Sequence, residues 1–464
     1  MLKFPRDLYS DVRVEDVAET TLVLEDGELK QCTESRRRGA FVRVYDGKRW
    51  YNSATTEPDR LQQELDTLAA MAEPNPAIGD DPVVRRFEVN RDCVLRWQAG
   101  DLRAVPVEQK LALLRSYQPL LERSGLAATR ARYLDVHVDK TFCSSLGADI
   151  RQDYQHCGIA LGYTVTGANA PFTNGQQRYA SDFAGLQGCQ EGLRAAIEED
   201  VNYAMHAVPV EPGEYTCVLS PTVAGVFAHE SFGHKSESDF MLGSETMRRE
   251  WELGKQVGWE GLSILDSGVP NGSGYCPYDD EGTRARDTYL VKNGVLTGRL
   301  HSAATAAALD EAVTGNARAI SFEFEPIVRM TSTWIAGGTD TFESLLRGGR
   351  GRPVYPGLLP RLRHVDIYDR SGARLPHPRR KTGRAGAGQR DLRQCDADAA
   401  SDRRRDGRDG TAQPVHGRLR QNGAVAAARR VRRAVPAGAR PEGAVRRRRR
   451  CKKSFIRSRE ARFL

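Results

Sequence analysis

A chain of 464 residues is long enough for two or three domains, and its net charge of +8 conceals two oppositely charged parts: residues 350–464 hold 33 Lys and Arg against 10 Asp and Glu, residues 1–349 hold 36 against 51. The acidic body argues against a broad nucleic-acid footprint, and no run reaches the roughly 18–20 apolar residues of a membrane span. The first residues, Met1-Leu2-Lys3-Phe4-Pro5, lack the apolar core of a signal peptide, and nine scattered cysteines without a CxxC pair fit free thiols, so the expected location is a reducing cytoplasm.

The first fifty residues read as strands. Residues 21–30 are β-prone around Asp26-Gly27, a hairpin signature, and a second strand pair, 41–45 with 48–51, turns at Asp46-Gly47. Leu61, Leu65, Leu68 and Ala72 recur at helical spacing, with Pro58 in the first turn where a missing N–H costs nothing. Two more helices are expected, over residues 107–122 with Pro119 marking the last turn, and over residues 181–204. A polar stretch, 164–177, lies between them. These elements make residues 1–205 an α+β N-terminal domain.

The character changes after Pro212. Residues 215–219 read as a buried strand, and Ser220-Pro221 caps and opens a helix carrying Val223, Val226 and Phe227. Gly-rich turns and strands follow. Residues 288–292 and 295–299 flank Asn293-Gly294, another hairpin signature. The expected second domain, residues 206–347, is β-rich, antiparallel and barrel-like, with the helix after Ser220 as its chemical element. Residues 348–464, rich in Arg, Gly and Ala, are expected to be a disordered or mispacked tail.

That helix carries His229-Glu230-Ser231-Phe232-Gly233-His234, an HExxxH pattern. A neutral imidazole is a good zinc ligand, and an adjacent carboxylate can take a proton from water on the metal. Histidines four apart share a helix face, but these are five apart, which puts them about 140° apart on a regular helix. A wide turn with i→i+5 bonding brings them nearly into line, and Gly233 makes local distortion cheap. Irregular backbone between Ser231 and His234 is therefore expected. Spacing alone leaves a second reading open: two helix histidines beside a solvated glutamate.

Several stretches together resemble the TldD/PmbA family. They are His229–Asp239 (HESFGHKSESD), Tyr275–Thr283 (YCPYDDEGT), Thr314–Arg318 (TGNAR), Pro326–Thr333 (PIVRMTST) and the region 11–51. The similarity spans about residues 8–347, and the HExxxH pattern places the chain with the TldD branch. The resemblance implies a cytoplasmic zinc metallopeptidase acting on unfolded or small peptides. His229 and His234 would be metal ligands and Glu230 the general base. It also implies a homodimer, or a heterodimer with a PmbA-like subunit, around a cavity that admits peptide. Of the other matching residues, Asp279–Glu281 read by themselves as a solvated loop, and Asn316 and Arg318 fit a structural role equally well.

The family's third ligand, a cysteine in a Cys-Gly-Lys-x-Gly-Gln segment, is missing. The basic end of the chain admits three readings: a nucleic-acid-binding tail, a basic localisation segment, or translation out of frame. The genetic code favours the last. Reread one base later, residues 364–369 permit Met-Ser-Thr-Phe-Thr-Ile and residues 393–400 permit Gly-Asn-Val-Met-Gln-Thr-Leu. Residues 419–425 permit Cys-Gly-Lys-Thr-Gly-Gln. All three resemble family segments, in one frame and in family order, which points to a single-base frameshift near codons 347–352. The gene's function is then that of a peptidase, while the chain as written lacks a zinc ligand. A non-catalytic subunit of a peptidase complex, or a zinc hydrolase of non-peptide amides, is the alternative.

Overall fold

The computed structural model describes residues 2–167, 172–206, 219–341 and 345. Residues 2–206 centre on one seven-stranded sheet. In chain order they give β1 (Tyr9–Glu25), β2 (Glu28–Tyr45), β3 (Trp50–Thr55), α1 (Leu61–Met71), β4 (Arg91–Val94), α2 (Val107–Ser116), β5 (Leu126–Ser144), β6 (Asp149–Val165), β7 (Phe172–Ala180) and α3 (Gln190–His206). The strand order is β3-β2-β1-β5-β6-β4, with β7 also on β6, and every pairing is antiparallel except β4 with β6.

Both N-terminal turns form where the dipeptides place them. Asp26 and Gly27 take φ of 47° and 84°, the left-handed pair that matches the twist of flanking strands, and Tyr45 pairs with Trp50 across the Asp46-Gly47 turn. Helix α1 presses Leu61, Leu65 and Leu68 onto Val12, Val42 and Val44, and each such side chain removed from water contributes about 1.5–3 kcal/mol. On the same sheet, Leu114 of α2 and Leu193 and Ile197 of α3 close over Leu22, Tyr133, Ile159 and Leu161. The helix expected over 107–122 ends at Ser116, and Pro119 sits inside a separate short turn, Gln118–Leu120. The helix expected from 181 starts at Gln190. The polar stretch 164–177 is largely strand, the end of β6 and most of β7.

The second region continues with α4 (Pro221–Ala228), α5 (His234–Ser236), α6 (Asp239–Leu242), α7 (Glu245–Glu250), β8 (Ile264–Ser267), β9 (Thr288–Lys292), β10 (Val295–Leu296), α8 (Ala303–Leu309), β11 (Ala317–Arg318), β12 (Ile327–Val328) and β13 (Ser332–Ile335). Its sheets, β10-β9-β8-β13 and β11-β12, are antiparallel and open among the described residues, so no closed barrel forms there. The hairpin turns at Asn293-Gly294 with φ of 51° and 80°. The α+β class holds, with more helix in the second region than its sequence announces. The expected strand at 215–219, Leu219 excepted, and the basic tail lie outside the described residues. No helix among the described residues is long and apolar enough to cross a membrane.

The Asp279–Glu281 loop is not solvated, contrary to the reading of those residues alone. Its three carboxylates are at most 4 % exposed, because the loop lies between the two regions. Asp280 meets Lys140 and Arg13, and Glu281 meets Arg43 and accepts from the Ala303 N–H. Asp279 accepts from the backbone N–H groups of Glu281, Thr283 and Ala317. The acidic run therefore joins the second region to β1, β2 and β5. Asn316 and Arg318 both make structural contacts: Asn316 donates to Asp266 and to the Arg329 carbonyl, and Arg318 to the Met330 carbonyl.

Candidate metal centre

Ser220 begins the site element. Its hydroxyl accepts from the Val223 N–H at 3.3 Å, and Pro221 occupies the first turn, where no N–H is needed. The α-helical pattern lasts to Ala228, and residues His229–Gly233 then form a π turn, with the His234 N–H donating to the His229 carbonyl. This i→i+5 bond is the widening that the five-residue spacing demands. It begins at His229, slightly earlier than the irregular segment expected after Ser231. Phe232, on the turn's inner side, packs with Phe227 and Trp251 at ring separations of 6.0 and 5.9 Å and ties the turn into the second core.

Gly233 serves a different purpose from the one its sequence suggests. Its φ of −58° and ψ of −64° are open to any residue, so no special conformation is being relieved. What matters is space, since a Cβ there would lie 2.0 Å from the Met330 sulfur. The glycine lets Met330 press against the turn.

The π turn brings all three expected residues together. The imidazole rings of His229 and His234 lie 4.6 Å apart, nearly perpendicular. One donor atom each from His229, Glu230 and His234 falls within 4.8 Å of the others, the one such cluster of three among the described residues. No cysteine is among the donors that converge here. Glu230 is exposed, and the two histidines are partly buried.

The two imidazoles differ electrostatically. Burial, reinforced by the neighbouring charge of His234, pushes His229 down to about 4, so it is neutral at physiological pH. His234 is raised above the ordinary 6.5, chiefly by its hydrogen bond to Glu237, against the opposing effect of burial. Glu237 lies outside the HExxxH pattern. Its carboxylate is buried and lies 3.0 Å from His234 Nδ1. A histidine followed three residues later by an acid on a helix could have signalled the contact. Asp239 accepts from the Val328 N–H at 3.0 Å and fastens the end of the site element to β12.

This donor set fits a divalent metal. One ring is neutral down to about pH 4, the other has Nε2 left over once Nδ1 is engaged, and a carboxylate stands beside both. Two imidazole nitrogens suit zinc as ligands, and the Glu230 carboxylate stands beside them where it can take a proton from water.

The chain is similar to known proteins over much of its length. Residues 212–354 match the family model described as the PmbA/TldA metallopeptidase C-terminal domain, and residues 10–73 match PmbA/TldA metallopeptidase domain 1. A metalloprotease of Synechocystis is 30 % identical over 349 residues, covering 73 % of this chain and 74 % of that one. A zinc metalloprotease TldD homolog of Saccharolobus solfataricus is 34 % identical over 224 residues, covering 47 % and 49 %. Among solved structures, a putative modulator of DNA gyrase from Thermotoga maritima superposes with a TM-score of 0.61 at 19 % identity, covering 73 % and 76 % of the two chains. TldE from Thermococcus kodakarensis gives 0.59 at 15 %, covering 73 % and 77 %. At these identities the two structures speak for the fold.

Proposed function

Because the chain belongs to the PmbA/TldD family of metallopeptidases, we propose that its site is a zinc centre hydrolysing unfolded or small peptides, with His229 and His234 as ligands and Glu230 as general base. The observation that carries this reading is the π turn, which draws two histidines five apart and their intervening glutamate into one cluster. Bound zinc would supply a Lewis acid, polarising the scissile carbonyl and making water more acidic. Glu230, exposed beside both rings, takes a proton from the attacking water and delivers it to the departing amine. His229, neutral because it is buried, offers its lone pair without first shedding a proton.

Glu230→Gln keeps the shape and removes the base. Peptide hydrolysis should fall by about 10²–10⁴-fold while zinc affinity, measured by competition with a chelating dye, stays close to wild type. Undiminished turnover would remove Glu230 from the mechanism. In this reading the working assembly is a dimer, of two copies or with a PmbA-like subunit, around a peptide-sized cavity. Light scattering tests it.

The chain as written has no Cys-Gly-Lys-x-Gly-Gln segment to complete the site, and that observation favours a second reading, a non-catalytic subunit. Two imidazoles hold zinc far more weakly than a three-ligand site. Purified chain without stoichiometric zinc would support the second reading. Restoring the frame near codon 350 and regaining both zinc and peptide cleavage would support the first. Cleavage of small amides but not peptides would redirect it to a hydrolase of non-peptide substrates.

A further inference from the structure

Glu237 is the one strongly placed group beside the site that the proposed chemistry leaves unused. It stands where α5 gives out, at φ −68° and ψ 108°, and its N–H donates to the His234 carbonyl at 3.3 Å. Its backbone is held on both sides. Leu300 donates to the Ser236 carbonyl at 2.9 Å and accepts from the Ser238 N–H and hydroxyl, so Glu237 is bridged to the buried Leu300. The side chain has almost no freedom to leave.

A carboxylate this deeply buried is costly unless other groups answer its charge. Oε2 lies 3.0 Å from His234 Nδ1 and 3.5 Å from Arg329 Nη1, while Oε1 has no hydrogen-bond partner among the described residues. The Arg329 guanidinium is half exposed and also donates to the Val328 carbonyl. The imidazole is thus Glu237's closest polar partner. A carboxylate on one ring nitrogen holds the proton there, fixes the ring's orientation and makes the other nitrogen a stronger donor.

We propose that Glu237 is the positioning residue of the metal centre, holding His234 as the Nδ1–H tautomer so that Nε2 is free to ligate. The assignment rests on reading the site as a metal centre. In this assignment Glu237 acts through His234 rather than as a ligand itself. Removing it therefore has a signature that loss of a purely structural anchor does not share, a change in which ring nitrogen carries the proton.

The test begins with metal-free protein, taken to a pH above which the histidine signals no longer move, labelled with ¹⁵N-histidine and with His234 assigned by the loss of its signals in His234→Gln. Two-bond ¹H–¹⁵N correlations should report Nδ1–H for His234 in the wild type and Nε2–H in Glu237→Ala. Zinc affinity, read by dye competition, should fall about 10–100-fold in Glu237→Ala. It should fall less in Glu237→Gln, whose side-chain carbonyl can still accept the Nδ1–H bond. An Nε2–H wild type, or Glu237→Ala binding zinc within about twofold of wild type, overturns the assignment. If Glu237→Ala does not fold, the wild-type tautomer and the Glu237→Gln affinity decide. A wild type that binds no zinc but shows the Nδ1–H tautomer refutes the metal reading and leaves the hydrogen-bond assignment standing.

Discussion

At the scale of single residues, the two site histidines carry opposite pH dependences. Burial lowers His229 to about 4, whereas Glu237 raises His234 above 6.5. In the metal-free protein, the unfolded chain protonates position 229 before the folded one does. That residue therefore weakens the fold as pH falls from 6.5 toward about 4. The His234–Glu237 pair does the reverse: its stabilisation is complete below 6.5 and fades as pH rises through the raised folded value. Zinc competes with protons on the same groups. Between roughly pH 5 and 6.5, above the His229 value of about 4 and below the ordinary imidazole value, it should displace at most one proton, from His234, and none from His229, so apparent affinity should climb no more than about tenfold per pH unit. Dye competition across that range checks this, and a slope of two protons would mean that His229 is not held neutral.

The secondary elements are legible where local chemistry dictates them. Asp26-Gly27 and Asn293-Gly294 turn as their dipeptides require, because two successive positive φ values suit few residue pairs. Ser220-Pro221 opens its helix for equally local reasons. The β5–β6 hairpin was not legible. Its strands carry Asp135, Lys140 and Asp153 among apolar residues, and the partners that make these charges tolerable lie elsewhere in the chain: Asp135 meets Lys110, Lys140 meets Asp280, and Asp153 accepts from the backbone of Arg96 and Trp97. The π turn is legible in part. Histidine spacing called for it, while the contact that braces it, Met330 against Gly233, joins residues nearly a hundred positions apart. Gly233→Ala should cost about 1–3 kcal/mol by overpacking, read from urea unfolding, and weaken zinc binding. Adding Met330→Ala should recover part of the overpacking loss, whereas simple additivity of the two changes would mean that they do not touch.

For the molecule as a whole, the decisive feature is the buried ionic layer between the N-terminal sheet and the second region. Arg13, Glu15, Lys140 and Asp280 meet there with almost no exposure, and Arg13 also donates to the carbonyls of Ser321 and Phe324 at 3.0 and 2.9 Å. Burial by itself would raise the Asp280 carboxyl, but Lys140 and Arg13 hold it well below the usual range. Its contribution is present above pH 3.8 and is lost on acidification. Asp280→Asn leaves two buried cations with Glu15 as their remaining acid, and should destabilise the protein by about 3–5 kcal/mol. A loss under about 1 kcal/mol in urea melts would mean that the layer is solvated and contributes little.

The sequence by itself determined the hairpin turns, the capped helix, the three converging site residues and the need for a widened turn between the histidines. The turns and the cap follow from neighbours within a few positions, whose steric and hydrogen-bonding preferences act locally, whereas the widened turn follows from the spacing only if both histidines serve one ion. Tertiary structure alone decided that Asp279–Glu281 is an internal joint rather than a wet loop, that Gly233 makes room for a sulfur, and that His234 leans on Glu237. A charge or a glycine reads the same in any string. Its role depends on which distant groups exclude water from it, and only folding brings those groups together.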